Sequence, residues 1–121
     1  MTRIGLAAVL TLSLTGPAFA DVSGLVGNTV IATTSDGITR RIRLHADGTF
    51  LISVSDGTSA TGRWSEKDGK LCYDRDAPIG HEPPPQLCVE GFAGHRLGDR
   101  WTLPGHKGLV MTAKVVKGQT P

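Results

Sequence analysis

The chain has 121 residues, of which 13 are Lys or Arg and 11 are Asp or Glu, giving a formal net charge of +2. This length corresponds to one domain with a modest core, and the near-neutral charge gives no electrostatic basis for binding nucleic acid. We therefore expect a single domain and no nucleic-acid partner.

The N-terminus has the organisation of a secretory signal peptide. Arg3 precedes an apolar run over residues 4–14, and Ala18-Phe19-Ala20 forms a small-x-small cleavage site before Asp21. Such a segment is too short for a stable membrane span. The sequence predicts a signal peptide at 1–20 and a single β domain at 21–121. That domain is expected to be periplasmic or secreted and not membrane-embedded.

Turn signals divide the rest of the chain at short intervals. Asp-Gly pairs stand at 36–37, 47–48, 56–57 and 68–69, and the residues between them alternate between apolar and polar. Asp-Gly favours tight hairpin turns, and period-two alternation is typical of strands. Further strands are predicted at 29–34, 87–92, 100–103 and 109–116.

These segments predict an all-β fold, an antiparallel meander of about eight short strands. Eight strands of this kind form either a small up-and-down barrel or a curled sheet. Closure removes exposed sheet edges, which favours the barrel.

Cys72 and Cys88 are the only cysteines. In an exported protein an even pair is typical of a disulfide, and it would close the longest loop of the chain. The alternatives are a redox pair and a metal thiolate. Redox pairs are usually two residues apart in C-x-x-C, whereas these cysteines are sixteen positions apart. We therefore predict a structural disulfide.

The segment between the cysteines interrupts the strand rhythm with Pro78 and the run at 83–85. Proline cannot donate to a ladder, so this segment is predicted to be a loop held at its base by the disulfide. Long loops on rigid scaffolds often bind partners. The predicted partner-binding residues here are Tyr73, Arg75, Asp76, His81 and Glu82.

Two other surfaces are candidates for binding. Alternation places Arg41 and Arg43 on the polar face of their strand, where they would contact an acidic protein or anionic envelope material. A solvated outer face is the simpler interpretation. Trp64 and Trp101 both face inward by alternation, so they either line a ligand cavity or fill the core.

Metal binding and catalysis have less support. His45, His81, His95 and His106 lack the spacing of a ligand pair, although loops can bring distant histidines together, and Met111 would suit copper. Neither G-x-S-x-G nor H-E-x-x-H occurs. Acidic residues around the disulfide loop are more simply a solvated surface than acid–base groups. We therefore predict no enzyme activity, no cofactor and no metal.

Several segments resemble a group of small exported alphaproteobacterial β-proteins: "LVGNTV" at 25–30, "TGRW" at 61–64, "GKLCYD" at 69–74 with the second cysteine, and "TAKVVKG" at 112–118. This resemblance implies export and a compact β-fold. "TGRW" is also similar to the G-x-W strand of avidin-like and lipocalin-like barrels, which implies a ligand cavity.

The preferred function from sequence is a non-enzymatic periplasmic or secreted β-domain that binds a protein or a cell-envelope component. One alternative is a small-ligand carrier with an internal barrel cavity. The other is a copper-handling protein that uses loop histidines.

Overall fold

The computed structural model describes residues 21–119, and this part of the chain is all-β, as predicted. It contains no α-helix, only short 3-10 turns at Ser23–Leu25 and His106–Gly108. The strands are β1 (Thr29–Thr34), β2 (Thr39–Leu44), β3 (Thr49–Val54), β4 (Ser59–Lys67), β5 (Lys70–Arg75), β6 (Leu87–Val89), β7 (Arg100–Pro104) and β8 (Val110–Val116). The signal peptide predicted at 1–20 lies outside the described residues.

All eight strands belong to one antiparallel sheet, in the order β6-β5-β4-β3-β2-β1-β8-β7. This is the strand order of an up-and-down barrel, but β6 and β7 are edges and do not pair with each other. The fold is therefore a curled half-barrel with one open seam. Of the two predicted forms, a closed barrel and a curled sheet, the structure has the curled sheet. Predicted strand 87–92 ends at Val89, and the segment at 90–99 crosses the seam without joining the ladder.

In three of the Asp-Gly turns the Asp carboxylate accepts one hydrogen bond from a backbone N–H and one from a threonine hydroxyl. Asp47 Oδ1 accepts hydrogen bonds from Thr49 N at 2.9 Å and Thr49 Oγ1 at 2.7 Å, and Asp56 bonds Thr58 alike at 2.9 and 2.6 Å. Asp36 accepts from Thr34 Oγ1 and Ile38 N. Hydrogen bonds favour the ionised carboxylate, so the side-chain bond first and the backbone bond second lower the pKa of all three groups.

These turns make stability depend on acidity. A carboxyl group whose pKa is lower in the folded state stabilises the fold above its unfolded pKa, and the effect is lost as the pH falls through the folded pKa. We expect the urea midpoint to fall on acidification from about pH 5 to pH 2. The fall should be smaller in the triple variant with Asn at 36, 47 and 56. Asp68→Asn is the control, because the Asp68 carboxylate accepts no hydrogen bond within residues 21–119. An unchanged acid profile in the triple variant would contradict the assignment.

The core lies on the concave face of the sheet. Its fully buried members include Val30, Leu44, Phe50 and Leu71. The Phe50 and Tyr73 rings meet edge to face, with centroids 4.9 Å apart. Such a contact fixes both rings in addition to burying their area.

One end of the half-barrel is closed by the N-terminal segment. Val22 and Leu25 are buried against the core, Gly27 N donates to Leu44 O at 3.0 Å, and Gly94 N donates to Asp21 O at 2.7 Å. The segment at 90–99 spans the seam between β6 and β7, and its Phe92 is buried in the core cluster.

Candidate ligand-binding cleft

The open seam leads into a cleft of about 730 Å³ on the concave face. This volume falls within the range of roughly 300–1,000 Å³ that is usual for small-molecule sites. The lining residues are Arg40, Ile42, Ile52, Ala60, Tyr73, Arg75, Leu87, Val89, Glu90, Gly91, Phe92, Leu103, Pro104, Gly105, His106 and Met111. Three smaller hollows, of about 290 to 490 Å³, include residues of the outer face such as Ile31 and Arg41.

Most of the lining is apolar because the cleft continues the core outward. Ile42 pairs with Ile52 across β2 and β3, and Ile52 pairs with Ala60 across β3 and β4. Leu103 on β7 and Met111 on β8 provide the opposite wall. All of these except buried Ile42 are only half-buried, so the cleft presents apolar surface from several strands to one open space. A concave apolar surface of this kind suits a small apolar ligand.

Two arginines stand among these apolar residues. In β2, Arg40 lies on the same side of the strand as Ile42 and Leu44. In β5, Arg75 lies on the same side as Leu71 and Tyr73. Both arginines line the cleft and are half-buried. The concave face therefore carries two positive charges at strand positions where the alternation would place apolar residues.

The two guanidinium groups are incompletely bonded. Arg40 Nη1 and Arg75 Nε are buried and have no hydrogen-bond partner within residues 21–119. Arg75 Nη2 donates to Pro85 O at 3.3 Å. Neither arginine makes an ion pair with a carboxylate of the described chain. The charge of Arg40 is only a minor contributor to the lowered pKa of Asp56, after the Thr58 hydrogen bonds.

Tyr73 lies in the core, which corrects its assignment to an exposed partner-binding loop. Its side chain is 4% exposed and packs against Phe50. Burial raises the pKa of its hydroxyl well above the usual value, so the group stays protonated. Tyr73 is available to a ligand inside the cleft but not to a protein on the outer surface.

The loop between the cysteines projects from the sheet, and its base is well anchored. Cys72 and Cys88 are directly opposite in the β5–β6 ladder and are joined by the predicted disulfide. Gln86 donates to the Asp74 carboxylate and accepts from Lys67 Nζ at 2.8 Å. Asp76, whose carboxylate accepts from Thr61 Oγ1, is exposed.

Two further loop residues, His81 and Glu82, are also exposed, as is the loop's Ile79. Partner binding by the exposed loop residues stays a prediction. Arg75, assigned to the same surface, lines the cleft instead.

The two arginines of the outer face have different environments. Arg41 is exposed, whereas Arg43 is only 4% exposed, and its Nη1 donates to Ser53 Oγ at 3.2 Å. The expectation of an exposed stripe formed by both residues was therefore wrong. The residue beside them, His45, bonds Gln119 Oε1 at 2.8 Å, so the C-terminal segment reaches this face.

Neither tryptophan is among the residues that line the cleft. Trp64 Nε1 donates to His45 O at 2.8 Å. Trp101 stacks on His95 with ring centroids 3.5 Å apart and meets Phe92 edge to face. Both side chains are half-buried and pack against the core cluster. These contacts correspond to the core-filling interpretation of the tryptophans.

The histidines lie in separate environments. His81 is in the disulfide loop, His95 lies 3.5 Å from the Asp99 carboxylate, and His106 is at the edge of the cleft. Within residues 21–119, no group of three or more His, Cys, Asp or Glu side chains is arranged to hold a metal ion. The copper-handling alternative therefore gains no support from the geometry.

Sequence reasoning did not identify Arg40 as a cleft residue, although a signal was present. Arg40 precedes Ile42 by two positions and Leu44 by four, so in a strand it points to the same side as both. Arg75 has the same relation to Leu71 and Tyr73. A charged residue in the apolar phase of a strand indicates either a barrel end or a binding site.

The fold and cleft together define a class: an all-β, disulfide-linked, curled half-barrel of eight antiparallel strands with an apolar cleft at its open seam. Comparisons of the chain with family models, curated proteins and solved structures give no match. The resemblances drawn from the sequence stay predictions. Within residues 21–119 there is no helix with the length and apolarity needed to cross a membrane.

Proposed function

We propose that this protein is a non-enzymatic binding protein of the periplasm or extracellular space that holds a small apolar molecule in the cleft at its open seam. The Cys72–Cys88 disulfide indicates an oxidising environment, and the predicted signal peptide would deliver the chain there. Because the structure has an apolar cleft, we prefer the small-ligand alternative to a protein partner on the disulfide loop.

The observation that supports this function is the apolar cleft itself. The core of so small a domain would be expected to fill its concave face completely, because protein interiors are close-packed. Here Ile52, Ala60, Leu103 and Met111 remain half-buried around a space of about 730 Å³. Filling that space with an apolar molecule would remove their surfaces from water, which is the main favourable term in such binding.

The test uses a neutral apolar dye, N-phenyl-1-naphthylamine, whose fluorescence rises in apolar surroundings. We expect saturable binding of about one dye per protein. Ala60→Phe, which places a ring in the cleft, should weaken binding by about tenfold or more. The matched control is Ser59→Phe, the preceding residue of β4, which is exposed on the opposite side of the strand.

Equal binding by the two variants, or absence of saturable binding by the unaltered protein, would contradict the proposal. Circular dichroism and urea midpoints of both variants would establish that each retains the fold.

A further inference from the structure

We propose that the ligand of the cleft is a single-chain amphiphile with a carboxylate head group, held by Arg40 and Arg75. This inference rests on the proposed function and adds the chemical class of the ligand. The position of the arginines, their unmet hydrogen-bonding capacity and the charge balance of the lining support the head group. The apolar surface beyond the arginines accommodates the tail.

The first step is the position of the charges. Arg40 and Arg75 come from different strands, β2 and β5, and both line the cleft together with Ile42 and Tyr73. Each is half-buried, so each guanidinium lies between solvent and the apolar interior. A ligand that presents its head group to these arginines would extend its tail over the apolar wall.

The second step is the unmet donors. Arg40 Nη1 and Arg75 Nε are buried without a partner in the described chain. A buried donor without a partner carries a desolvation penalty that is larger when the group is charged. A carboxylate that reaches these guanidinium groups would supply charge-assisted hydrogen bonds, whereas a purely apolar ligand would leave both side chains incompletely bonded.

The third step is the choice of anion. The planar guanidinium fork matches a carboxylate in a two-pronged arrangement, so one guanidinium can donate to both carboxylate oxygens. The charged lining residues are two arginines and Glu90, besides the titratable His106. Glu90 is exposed and reduces the positive charge of the cleft. This modest excess suits a singly charged carboxylate better than a doubly charged phosphate.

The tail has a continuous apolar path. Ile52, Ala60, Leu103 and Met111 line the cleft from both sides, and buried Phe92 lines it from the segment that crosses the seam. An unbranched alkyl chain can follow such a surface without bringing further polar groups into it. The cleft therefore combines a largely apolar lining with two cationic side chains.

The test compares decanoate with decan-1-ol by isothermal titration calorimetry, because the two ligands share a chain length and differ in the charge of the head group. We expect the unaltered protein to bind decanoate about tenfold more tightly or better, the effect of a charge-assisted hydrogen bond in a partly buried site. Arg40→Met should remove most of this preference and leave the affinity for decan-1-ol unchanged or higher. Its urea midpoint should be unchanged or raised, because methionine suits an apolar surface.

The control is Arg41→Met, which removes the same charge one residue away on the exposed outer face. It should keep the preference for decanoate, which separates head-group contact from a general effect of net charge. Equal affinities of the unaltered protein for decanoate and decan-1-ol would overturn the inference, as would equal effects of the two arginine variants. Tighter binding of decyl phosphate than of decanoate would overturn the choice of a carboxylate.

Failure of this inference is distinguishable from failure of the proposed function. If the neutral dye binds and Ala60→Phe weakens it while decanoate shows no preference, the cleft binds apolar ligands without using its arginines. If dye, alcohol and carboxylate all fail to bind, both proposals are wrong.

Discussion

Replacing Cys72 and Cys88 together with alanine should lower the free energy of unfolding by about 3 kcal/mol, the value expected for a disulfide that closes a loop of this length. The effect is large for a domain of this size, whose total stability is on the order of 5–15 kcal/mol. The two cysteines are opposite each other, with their Cα atoms 4.0 Å apart. Alanine is preferred to serine because Cys72 is fully buried, where a hydroxyl would lack a partner.

The measurement is urea unfolding of the double variant beside the oxidised and reduced forms of the unaltered protein. Reduction should reproduce most of the loss. Because β6 is a three-residue edge strand that contributes Leu87 and Val89 to the cleft, dye binding should weaken as well. A loss of less than about 1 kcal/mol would mean that the hydrogen bonds of Gln86 hold the loop base without the disulfide.

Gly62→Ala should destabilise the protein by about 3 kcal/mol, at the upper end of the cost of overpacking a core. A Cβ atom at Gly62 would lie 2.0 Å from Asp74 O, 2.9 Å from Arg75 Cα and 2.9 Å from Phe50 Cε2. Two of these atoms belong to the backbone of the neighbouring strand, so relief requires β4 and β5 to move apart. The Phe50–Tyr73 contact lies beside this position and should be disturbed with it.

The control for this substitution is Gly57→Ala in the β3–β4 turn. Gly57 has φ +94° and no atom within 4 Å of the added Cβ, so its replacement isolates the conformational penalty, roughly 1–2 kcal/mol. Unfolding free energies from urea titration would give the difference. Equal losses in the two variants would show that strand separation at Gly62 costs little.

The strand pattern could be predicted from the sequence because alternation and turn chemistry act locally. The first strand, at 29–34, was placed with the bounds of β1, and the four Asp-Gly pairs were placed at turns. The disulfide was predictable from the number of cysteines and the predicted compartment. These features depend on residues close in sequence or on chemistry that is independent of the fold.

The open seam could not be predicted, since it depends on how far the sheet curls and on where the irregular segment at 90–99 lies. The site was harder to place for a related reason. Tyr73 was assigned to the loop because it follows Cys72, although its alternation with Leu71 places it on the core side. Trp64 and Trp101 face the core as expected but lie outside the cleft, a distinction that requires the register of all the strands.

The position of β1 in the middle of the sheet has a consequence for how the chain folds. β1 pairs with β2, its neighbour in sequence, and also with β8, so that Thr29 lies opposite Val116. The β7–β8 hairpin joins the rest of the sheet only through this second pairing. The pairing of β1 with β8 closes a loop that contains most of the chain. Topologies with such long-range pairing fold slowly, in about milliseconds to seconds. Until β8 is available, β1 is an exposed edge, so the native sheet should be completed only after β8 has paired with β1.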